Sequence, residues 1–239
     1  MLIQLPNAFG DAAMNMAIDS ALLATLPENI AVFRHYAWTG PAVTFGYTQA
    51  FAAVQSSLPT DLTLCRRSTG GGIVDHRNDW TYALIIQNAQ PAAQIAATTF
   101  YEKLHRCLQA ALAQQSIEST LAPCPRKCDS PTTKANRRAA EQCFTAPAAN
   151  DILQPTGRKI AGAAMKRSRA GLLVQGSIDR ESVPAELDFT ALATHFIHAL
   201  AVALDLSIGY SDDIRALFDS AKIAEERTRY SSAAWNQKR

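Results

Sequence analysis

The sequence lacks the features that would indicate an exported, membrane-spanning or nucleic-acid-binding protein. No apolar run approaches the roughly 20 residues that a membrane-spanning helix requires. The first residues, MLIQLPNAFGD, have neither a basic start nor a long apolar segment, so we expect no signal peptide. Lys and Arg number 23 against 21 Asp and Glu, and the net charge of +2 gives no reason to expect binding to nucleic acid or to a membrane. We therefore expect a soluble cytoplasmic protein.

Cysteine is scarce, and its pattern argues against two further classes of protein. The five cysteines are an odd number in a chain without an export signal, which is typical of reduced thiols rather than a disulfide framework. Cys124 and Cys128 are spaced C-x3-C, with Cys143 as a candidate third ligand, but a structural zinc site needs a second pair of ligands. We therefore expect no metal site. The 239 residues, 48% of them apolar, suffice for one core, and we expect a single domain over 1–239.

The pattern along the chain predicts one mixed β-sheet with helices packed outside it, which is an α+β fold. Apolar residues recur at helical spacing from Met14 to Leu22, and Gly40-Pro41 is a turn dipeptide between two strands that we expect to form a hairpin. Further helices are expected at 92–115, 188–204 and 212–227. Strands are expected at 30–36, 42–45, 61–65, 73–75, 80–87, 142–145, 151–154, 158–165 and 171–178. We expect a loop over 123–141 and a frayed tail over 230–239.

The most informative stretch is RRSTGGGIVDH, residues 66–76. Its three consecutive glycines, Gly70, Gly71 and Gly72, weaken a strand and indicate a place where another backbone or a ligand comes close. Glycine N–H groups can bind a carbonyl or phosphate oxygen and still leave space for a substrate. Arg67 supplies charge on one side and His76 a titratable group on the other. A turn or bulge without a ligand is the alternative.

A second unusual stretch, GRKIAGAA, covers residues 157–164. Lys159 is embedded among small residues, including Gly162, Ala163 and Ala164, which leave room for a substrate beside its amine. Because the neighbouring residues are hardly polar, we expect the ammonium to face a cleft. There it would neutralise the charge that develops on a carbonyl oxygen under attack. A solvated surface lysine is the alternative, and a solvated position is what we expect of Arg158.

Four segments, in order, resemble the lipoate/octanoate attachment family, which comprises lipoate–protein ligases and octanoyltransferases, with biotin ligases as distant relatives. They run from about Met14 to Ile178 and read MNMAIDSALL, FRHYAWTGPAVTFGYTQ, RRSTGGGIVDH followed by WTYALII, and GRKIAGAAMKR followed by GLLVQGSI. The resemblance implies the biotin/lipoate protein-ligase fold. It also implies an enzyme that attaches an octanoyl or lipoyl group to a specific lysine of a lipoyl domain.

The resemblance further implies roles for individual residues. Lys159 matches the family's catalytic lysine, and the glycine stretch matches a segment that contacts the acyl group. The positions matched to substrate binding are Arg67, Thr69, Gly70, Gly71, Gly72, Val74, His76, Asn150, Asp151, Gly162, Ala163 and Ala164. The implied protein partners are lipoyl domains of 2-oxoacid dehydrogenases or the glycine-cleavage H protein.

Cys143 bears on the choice between two mechanisms. The segment CFTAP resembles an octanoyltransferase branch whose cysteine takes the acyl group from acyl carrier protein as a thioester, without a cofactor. A nearby ammonium such as Lys159 would lower the pKa of that thiol, whereas a buried structural cysteine is the alternative. Against this reading, Asn150-Asp151 and the unbroken TGGG resemble ligases that use ATP and Mg2+ to make lipoyl-AMP. We expect the transferase first and the ligase second. A non-catalytic protein that binds lipoyl domains is a remote third, because it would not need Lys159.

Two positions depart from the family pattern and put substrate choice in doubt. His76 is followed by Arg77-Asn78-Asp79 in place of Asp-x-Gly-Asn, and Gln175 stands where a histidine usually precedes glycine. Two groups of basic residues could steer an acidic partner such as acyl carrier protein or a lipoyl domain. They are Arg126, Lys127, Lys134, Arg137 and Arg138 in the expected loop, and Lys166, Arg167 and Arg169 further on.

Overall fold

Residues 1–123, 147–211 and 213–238 are described in the structure, a computed structural model. The helices are α1 (Ala12–Thr25), α2 (Phe51–Ser56), α3 (Ala97–Ala113), α4 (Phe189–Ala203), α5 (Ser220–Ser231) and α6 (Ala233–Asn236). The strands are β1 (Leu2–Gln4), β2 (Ala8–Gly10), β3 (Ala31–Trp38), β4 (Ala42–Phe45), β5 (Thr63–Arg66), β6 (Val74–Asp75), β7 (Asp79–Gln87), β8 (Thr120–Leu121), β9 (Ile152–Leu153), β10 (Lys159–Arg167), β11 (Gly171–Asp179) and β12 (Ile208–Gly209). Short 3-10 turns occupy Pro91–Gln94, Arg180–Ser182 and Ile214–Leu217.

The described strands form two sheets, of which the larger has the order β12-β1-β3-β7-β11-β10-β9-β8, with β2 beside β3. Its central strands β7 and β11 are antiparallel and paired over their whole length. The run WTYALII in β7 is buried throughout, as a continuous apolar run predicts for a strand covered on both faces.

Side chains of β7 alternate between two cores, because successive residues of a strand point to opposite faces. Tyr82 and Leu84 pack in the core beneath α3 and α4, whereas Ala83 and Ile85 pack in the core beneath α1 and α5. The helix α1 is capped by Asp11, whose carboxylate accepts a hydrogen bond from the Met14 N–H in the first turn. Helices therefore cover both faces of the larger sheet. Its strands β10 and β11 contribute to the site described below.

The smaller sheet has the order β5-β4-β6. Its own apolar cluster consists of Val43, Phe45, Val54, Leu62 and Ile73. The connection between β5 and β6 carries the three glycines, so this sheet presents the glycine loop, residues 67–73, to the larger one.

The strands β3 and β4 do not form the hairpin that the sequence predicted. β3 pairs with β7 along one edge and with β1 and β2 along the other. Because both of its edges are hydrogen-bonded, none is left for β4. β4 instead joins β5 and β6 in the smaller sheet.

Two expected helices are each divided by a local signal. The helix expected over 92–115 is a 3-10 turn followed by α3, because the backbone at Ile95 and Ala96 is extended. The helix expected over 212–227 is a 3-10 turn followed by α5, because Asp219 caps a new helix with its side chain.

The expectation of a frayed tail over 230–239 is wrong for the residues through 236. Tyr230 is buried, and α6 follows α5 after one residue. Trp235 and Asn236 form hydrogen bonds with Arg66 at the end of β5. The tail looks polar in sequence, but the Trp235 indole and the Asn236 amide find partners on the smaller sheet, and the Tyr230 hydroxyl bonds to Ser20 of α1.

Two further expectations lie outside the described residues: the loop over 123–141, apart from Pro123, and the strand at 142–145. The described residues on the two sides of this stretch are hydrogen-bonded to each other, since the Asn150 N–H donates to the Ala122 carbonyl at 2.9 Å. Among the described helices, none is both long and apolar enough to cross a lipid bilayer.

Candidate active site

A narrow cleft of about 30 Å³, partly open to solvent, is lined by residues of β3, β6, β10 and β11 and by Arg67 of the glycine loop. Trp38 and Ala163 contribute apolar wall, while Arg67, His76 and Gln175 contribute polar groups. The sequence-predicted residues that line it are Arg67, Val74, His76, Gly162, Ala163 and Ala164.

The glycine loop is held from inside by Arg67, which is buried. Its guanidinium donates to the carbonyls of Gly70 (2.9 Å) and Gly72 (2.8 Å). Gly71 has a φ of +86°, a left-handed conformation that favours glycine. A Cβ on Gly46 would lie 2.0 Å from the Gly71 carbonyl oxygen, so the close approach predicted from the glycines involves another backbone. The bonds from Arg67 therefore fix the shape of the loop without any ligand.

His76 lies on the cleft wall in a fully bonded arrangement. Its Nδ1 is 2.7 Å from Asp79 Oδ2, and its Nε2 is 2.7 Å from Thr44 Oγ1. The Trp38 ring stacks on the imidazole with centroids 3.9 Å apart. Arg67 donates to the same Thr44 oxygen, which leaves the hydroxyl proton for Nε2. We infer that the neutral imidazole carries its proton on Nδ1.

Lys159 is buried at the start of β10 and forms an ion pair. Its Nζ lies 2.7 Å from Oδ2 of Asp151, and both side chains are almost fully enclosed. Asp151 also accepts hydrogen bonds from the Tyr101 hydroxyl (2.5 Å) and the Ala148 N–H (2.7 Å). Burial, with Asp151 beside it, raises the pKa of Tyr101 well above its usual value. The expectation of little polarity around Lys159 is therefore wrong.

Gly162 separates this ion pair from the cleft, whose lining includes neither Lys159 nor Asp151. A Cβ at this position would lie 2.6 Å from Lys159 Nζ and 2.9 Å from Asp151 Oδ1. Any side chain here would displace the pair, so the space left by the glycine is filled by the pair itself. Gly162 also lines the cleft, which places the ammonium directly behind the cleft wall.

Asn150 contributes to the shape of the backbone around Asp151. It has a φ of +67°, in the left-handed region that asparagine tolerates. Its carbonyl accepts a hydrogen bond from Nδ1 of the buried His105 at 2.7 Å. Burial lowers the pKa of His105 to about 4, against a smaller raising effect of Asp151. Asn150 does not line the cleft, and its role here is to hold the turn that delivers Asp151.

Beneath the cleft lies a second buried network that the sequence analysis missed. Arg34 Nη1 is 2.6 Å from Asp19 Oδ1, and both side chains are buried. Asp19 Oδ2 accepts from Tyr36 (3.1 Å) and from the Gln175 amide (2.7 Å), and Thr69 donates to Gln175 at 2.7 Å. The signal was present, since a lone Asp in MNMAIDSALL and a lone Arg in AVFRHYAW stand at positions that the apolar pattern buries.

The cysteines divide into two groups. Cys65 and Cys107 are buried, and burial raises the pKa of Cys65 to about 12 and that of Cys107 to about 11. Neither has the character of a reactive thiolate at neutral pH. Cys143, Cys124 and Cys128 lie outside the described residues. Within the described ranges, no group of three or more His, Cys, Asp or Glu side chains is arranged to hold a metal ion.

The sequence profile of the lipoyl protein ligase A/B catalytic domain matches residues 11–188. The chain belongs to this family. The resemblance drawn from the four motifs is thereby confirmed. Two lipoyl-ligase-family relatives are the octanoyltransferase LipM proteins of Halalkalibacterium halodurans, 30% identical over 70% of this chain, and of Bacillus cereus, 31% identical over 77%. The chain spans 62% and 66% of the lengths of these two relatives.

Solved structures show that the lipoyl-ligase-family fold extends over almost the whole chain. Protein Ta0514 from T. acidophilum, with bound lipoic acid, matches with a TM-score of 0.68 at 17% identity, covering 99% of this chain and 98% of that one. A bi-partite lipoate protein ligase studied with its E2 lipoyl domain from Thermoplasma acidophilum matches with a TM-score of 0.66 at 16% identity, covering 98% and 95%. The α+β fold predicted from the sequence is confirmed.

Proposed function

We propose that this protein attaches an octanoyl or lipoyl group to a specific lysine of a lipoyl-domain protein. In the favoured form it is an octanoyltransferase that uses an acyl carrier protein thioester as donor and needs no cofactor. The observation that carries the proposal is the buried Lys159–Asp151 pair directly behind Gly162 on the cleft wall. The octanoyltransferase LipM relatives support the same chemistry.

The proposed reaction has two steps through Cys143. The Cys143 thiolate attacks the thioester carbonyl of the donor, and the carrier leaves as a thiolate that takes up a proton from solvent. The deprotonated amine of the target lysine then attacks the Cys143 thioester, forming the amide, releasing the Cys143 thiolate and giving up one proton to solvent. In both steps the Lys159 ammonium stabilises the carbonyl oxygen that becomes negative. Asp151 holds that ammonium in place and is itself held by the Tyr101 hydroxyl.

Chain connectivity is compatible with these roles. Cys143 precedes Ala148 by five residues in the sequence. The Ala148 N–H donates to the same Asp151 oxygen that faces Lys159. A thiol beside that ammonium would have a lowered pKa, in contrast with the buried Cys65 and Cys107.

An ATP-dependent lipoate–protein ligase is the second candidate. It is supported by the resemblance of Asn150-Asp151 to the ligase element, together with the ion pair between Asp151 and Lys159, the proposed catalytic lysine. In that reaction Lys159 would face the phosphate of lipoyl-AMP, and Cys143 would be structural. The proposed partners are otherwise the same: a lipoyl domain or glycine-cleavage H protein as acceptor, in the cytoplasm.

The test is acylation of a purified lipoyl domain, read by intact mass, with two donors in parallel. One reaction contains octanoyl-acyl carrier protein without ATP, and the other contains free lipoate or octanoate with ATP and Mg2+. The variants are Cys143→Ser and Lys159→Ala, with Cys128→Ser as the matched control from the same stretch of chain.

Acylation in the first reaction alone, lost in Cys143→Ser and retained in Cys128→Ser, would support the transferase. An octanoyl adduct on Cys143 in the absence of acceptor would support it independently. Acylation in the second reaction alone, unaffected by Cys143→Ser and lost in Lys159→Ala, would replace the transferase with the ligase. No acylation in either reaction would contradict both.

A further inference from the structure

The outer edge of β5 is closed by side chains of the C-terminal segment, residues 230–236. β5 pairs with β4 along one edge only. On the other edge, the backbone N–H of Arg66 donates to the Asn236 side chain at 2.7 Å, and the Trp235 indole N–H donates to the Arg66 carbonyl at 2.8 Å. An amide and an indole thus take the place of a neighbouring strand.

The Arg66 side chain extends this connection to the turn beside the glycine loop. Arg66 is fully buried. Its guanidinium donates to the backbone carbonyls of Asn236 (2.9 Å), Tyr47 (2.8 Å) and Gln49 (2.7 Å). The Tyr47 N–H in turn donates to the Thr69 carbonyl at 2.9 Å. The C-terminal segment is therefore bonded to Arg66, and Arg66 is bonded in turn to Tyr47, whose N–H reaches Thr69 of the glycine loop.

The glycine loop depends on the position of this one residue. Arg66 is the last residue of β5, and the next residue, Arg67, holds the carbonyls of Gly70 and Gly72. A shift of the Arg66 backbone would move Arg67 and, with it, the two carbonyls that fix the loop. Such a shift would also leave the buried N–H and carbonyl of Arg66 without partners, which is costly.

The C-terminal segment is itself firmly anchored. The Asn236 amide donates to the carbonyls of Tyr230 (2.7 Å) and Ser232 (3.1 Å), so its oxygen is turned toward Arg66. The Tyr230 hydroxyl bonds to Ser20 of α1 at 2.7 Å. The segment thereby connects α1, in the larger sheet's core, with the edge of the smaller sheet.

We infer that Trp235 and Asn236 are positioning residues for the glycine loop and act through Arg66. They lie outside residues 11–188, the part matched by the family profile. The glycine loop lies within the matched residues, and its shape thus depends on two residues outside them. The consequence for acyl-donor binding rests on the proposed function, whereas the consequence for the loop's backbone does not.

The test is hydrogen exchange on the full-length protein, read in peptides that cover 66–75 and 159–167. The variants are Asn236→Ala, which removes the acceptor for the Arg66 N–H, and Trp235→Phe, which removes the indole donor but keeps a ring. Gln237→Ala, an exposed neighbour, is the matched control. We expect about tenfold faster exchange in 66–75 for both variants, with 159–167 unchanged, because lost buried hydrogen bonds lower the local opening free energy.

Unchanged exchange in 66–75, or an equal increase in 159–167, would overturn the inference, since the segment would then contribute only to global stability. With an active wild-type enzyme, Asn236→Ala should raise KM for the acyl donor about tenfold while KM for the acceptor domain stays the same. A rise confined to the acceptor would contradict the inference. Because exchange needs no substrate, an inactive wild type would sink the proposed function and still leave this result decisive.

Discussion

Two buried acid–base networks flank the cleft, and they use different cations. Behind the cleft wall, Asp151 pairs with Lys159 and also accepts from Tyr101. Beneath the cleft, Asp19 pairs with Arg34 and also accepts from the tyrosine and glutamine beside it. Each carboxylate is satisfied by one cation and by further donors, so burial alone does not distinguish the two networks.

The difference lies in the cation and in what surrounds it. Arginine is planar, always charged and suited to fixing several elements at once, and Arg34 joins β3 to α1 through Asp19 and the Asn15 carbonyl. Lysine is a compact charge with three donors, and Gly162 leaves the Lys159 ammonium next to the cleft. We therefore expect the Arg34 network to be needed for folding and the Lys159 network for chemistry.

The largest expected effect is loss of transfer in Lys159→Ala. Removing a charge that stabilises a developing oxyanion should lower kcat about a thousandfold, measured as lipoyl-domain acylation per folded enzyme. Arg158→Ala is the control, because that neighbouring side chain is half exposed and pairs with Asp179 on the surface. Comparable losses of kcat in both variants would show that the effect comes from disturbing the start of β10 and not from removing the ammonium.

The second expected effect is unfolding in Arg34→Met. Breaking a buried pair leaves Asp19 uncompensated and should lower the free energy of unfolding by about 3 to 5 kcal/mol, measured by urea denaturation. The matched control is Arg77→Met, whose pair with Asp75 is exposed to solvent and should leave the free energy of unfolding nearly unchanged. If the folded fraction of Arg34→Met also lost its transfer activity, the assignment of this network to folding alone would be wrong.

The third expected effect is an acid sensitivity on the Lys159 side of the cleft, where His105 bonds to the Asn150 carbonyl. Burial lowers the pKa of His105 from 6.5 to about 4, so below pH 6.5 the unfolded state binds a proton that the folded state does not. Stability should fall by about 3 kcal/mol between pH 6.5 and pH 4 from this group. His105→Asn keeps a donor for the Asn150 carbonyl and removes the titration.

Urea denaturation of both proteins across this pH range checks the prediction. The wild type should lose stability more steeply than His105→Asn on going from pH 6.5 to pH 4. Parallel losses would mean that His105 is not the group responsible.

The smallest expected effect concerns Gln175, which links the Arg34 network to the glycine loop. Gln175→Leu should cost about 1 to 3 kcal/mol of unfolding free energy, because Asp19 loses a donor and Thr69 loses an acceptor. Gln175→His should cost less, since an imidazole can donate from one nitrogen and accept at the other. Chemical denaturation of the two variants side by side measures the difference, and a larger loss in the histidine variant would contradict the linking role.

Local patterns were sufficient for much of the fold and part of the site. The continuous apolar run of β7, the helical periodicity of α1 and the glycine triplet each identified an element or a loop that the structure contains. Six of the predicted binding positions line one cleft although they come from segments about ninety residues apart. The order of the four motifs along the chain was sufficient to predict that these positions come together.

Two of the errors, the hairpin and the frayed tail, share one cause, which is competition between distant segments for hydrogen-bonding edges. β4 left its expected hairpin because both edges of β3 were already taken, and the tail is ordered because Arg66 needed partners on an open edge. Neither competition is visible in a window of neighbouring residues.

The sequence by itself determined the family, the fold class, the glycine loop and the choice of Lys159 as the catalytic candidate. Only the tertiary structure decided what Lys159 touches, because Asp151, which also accepts from Tyr101 of α3, meets it in the space that Gly162 leaves. It also decided that Asp19, Arg34 and Gln175 form a support beneath the cleft. A buried charge requires a partner wherever the fold brings one close, and that partner is chosen in three dimensions.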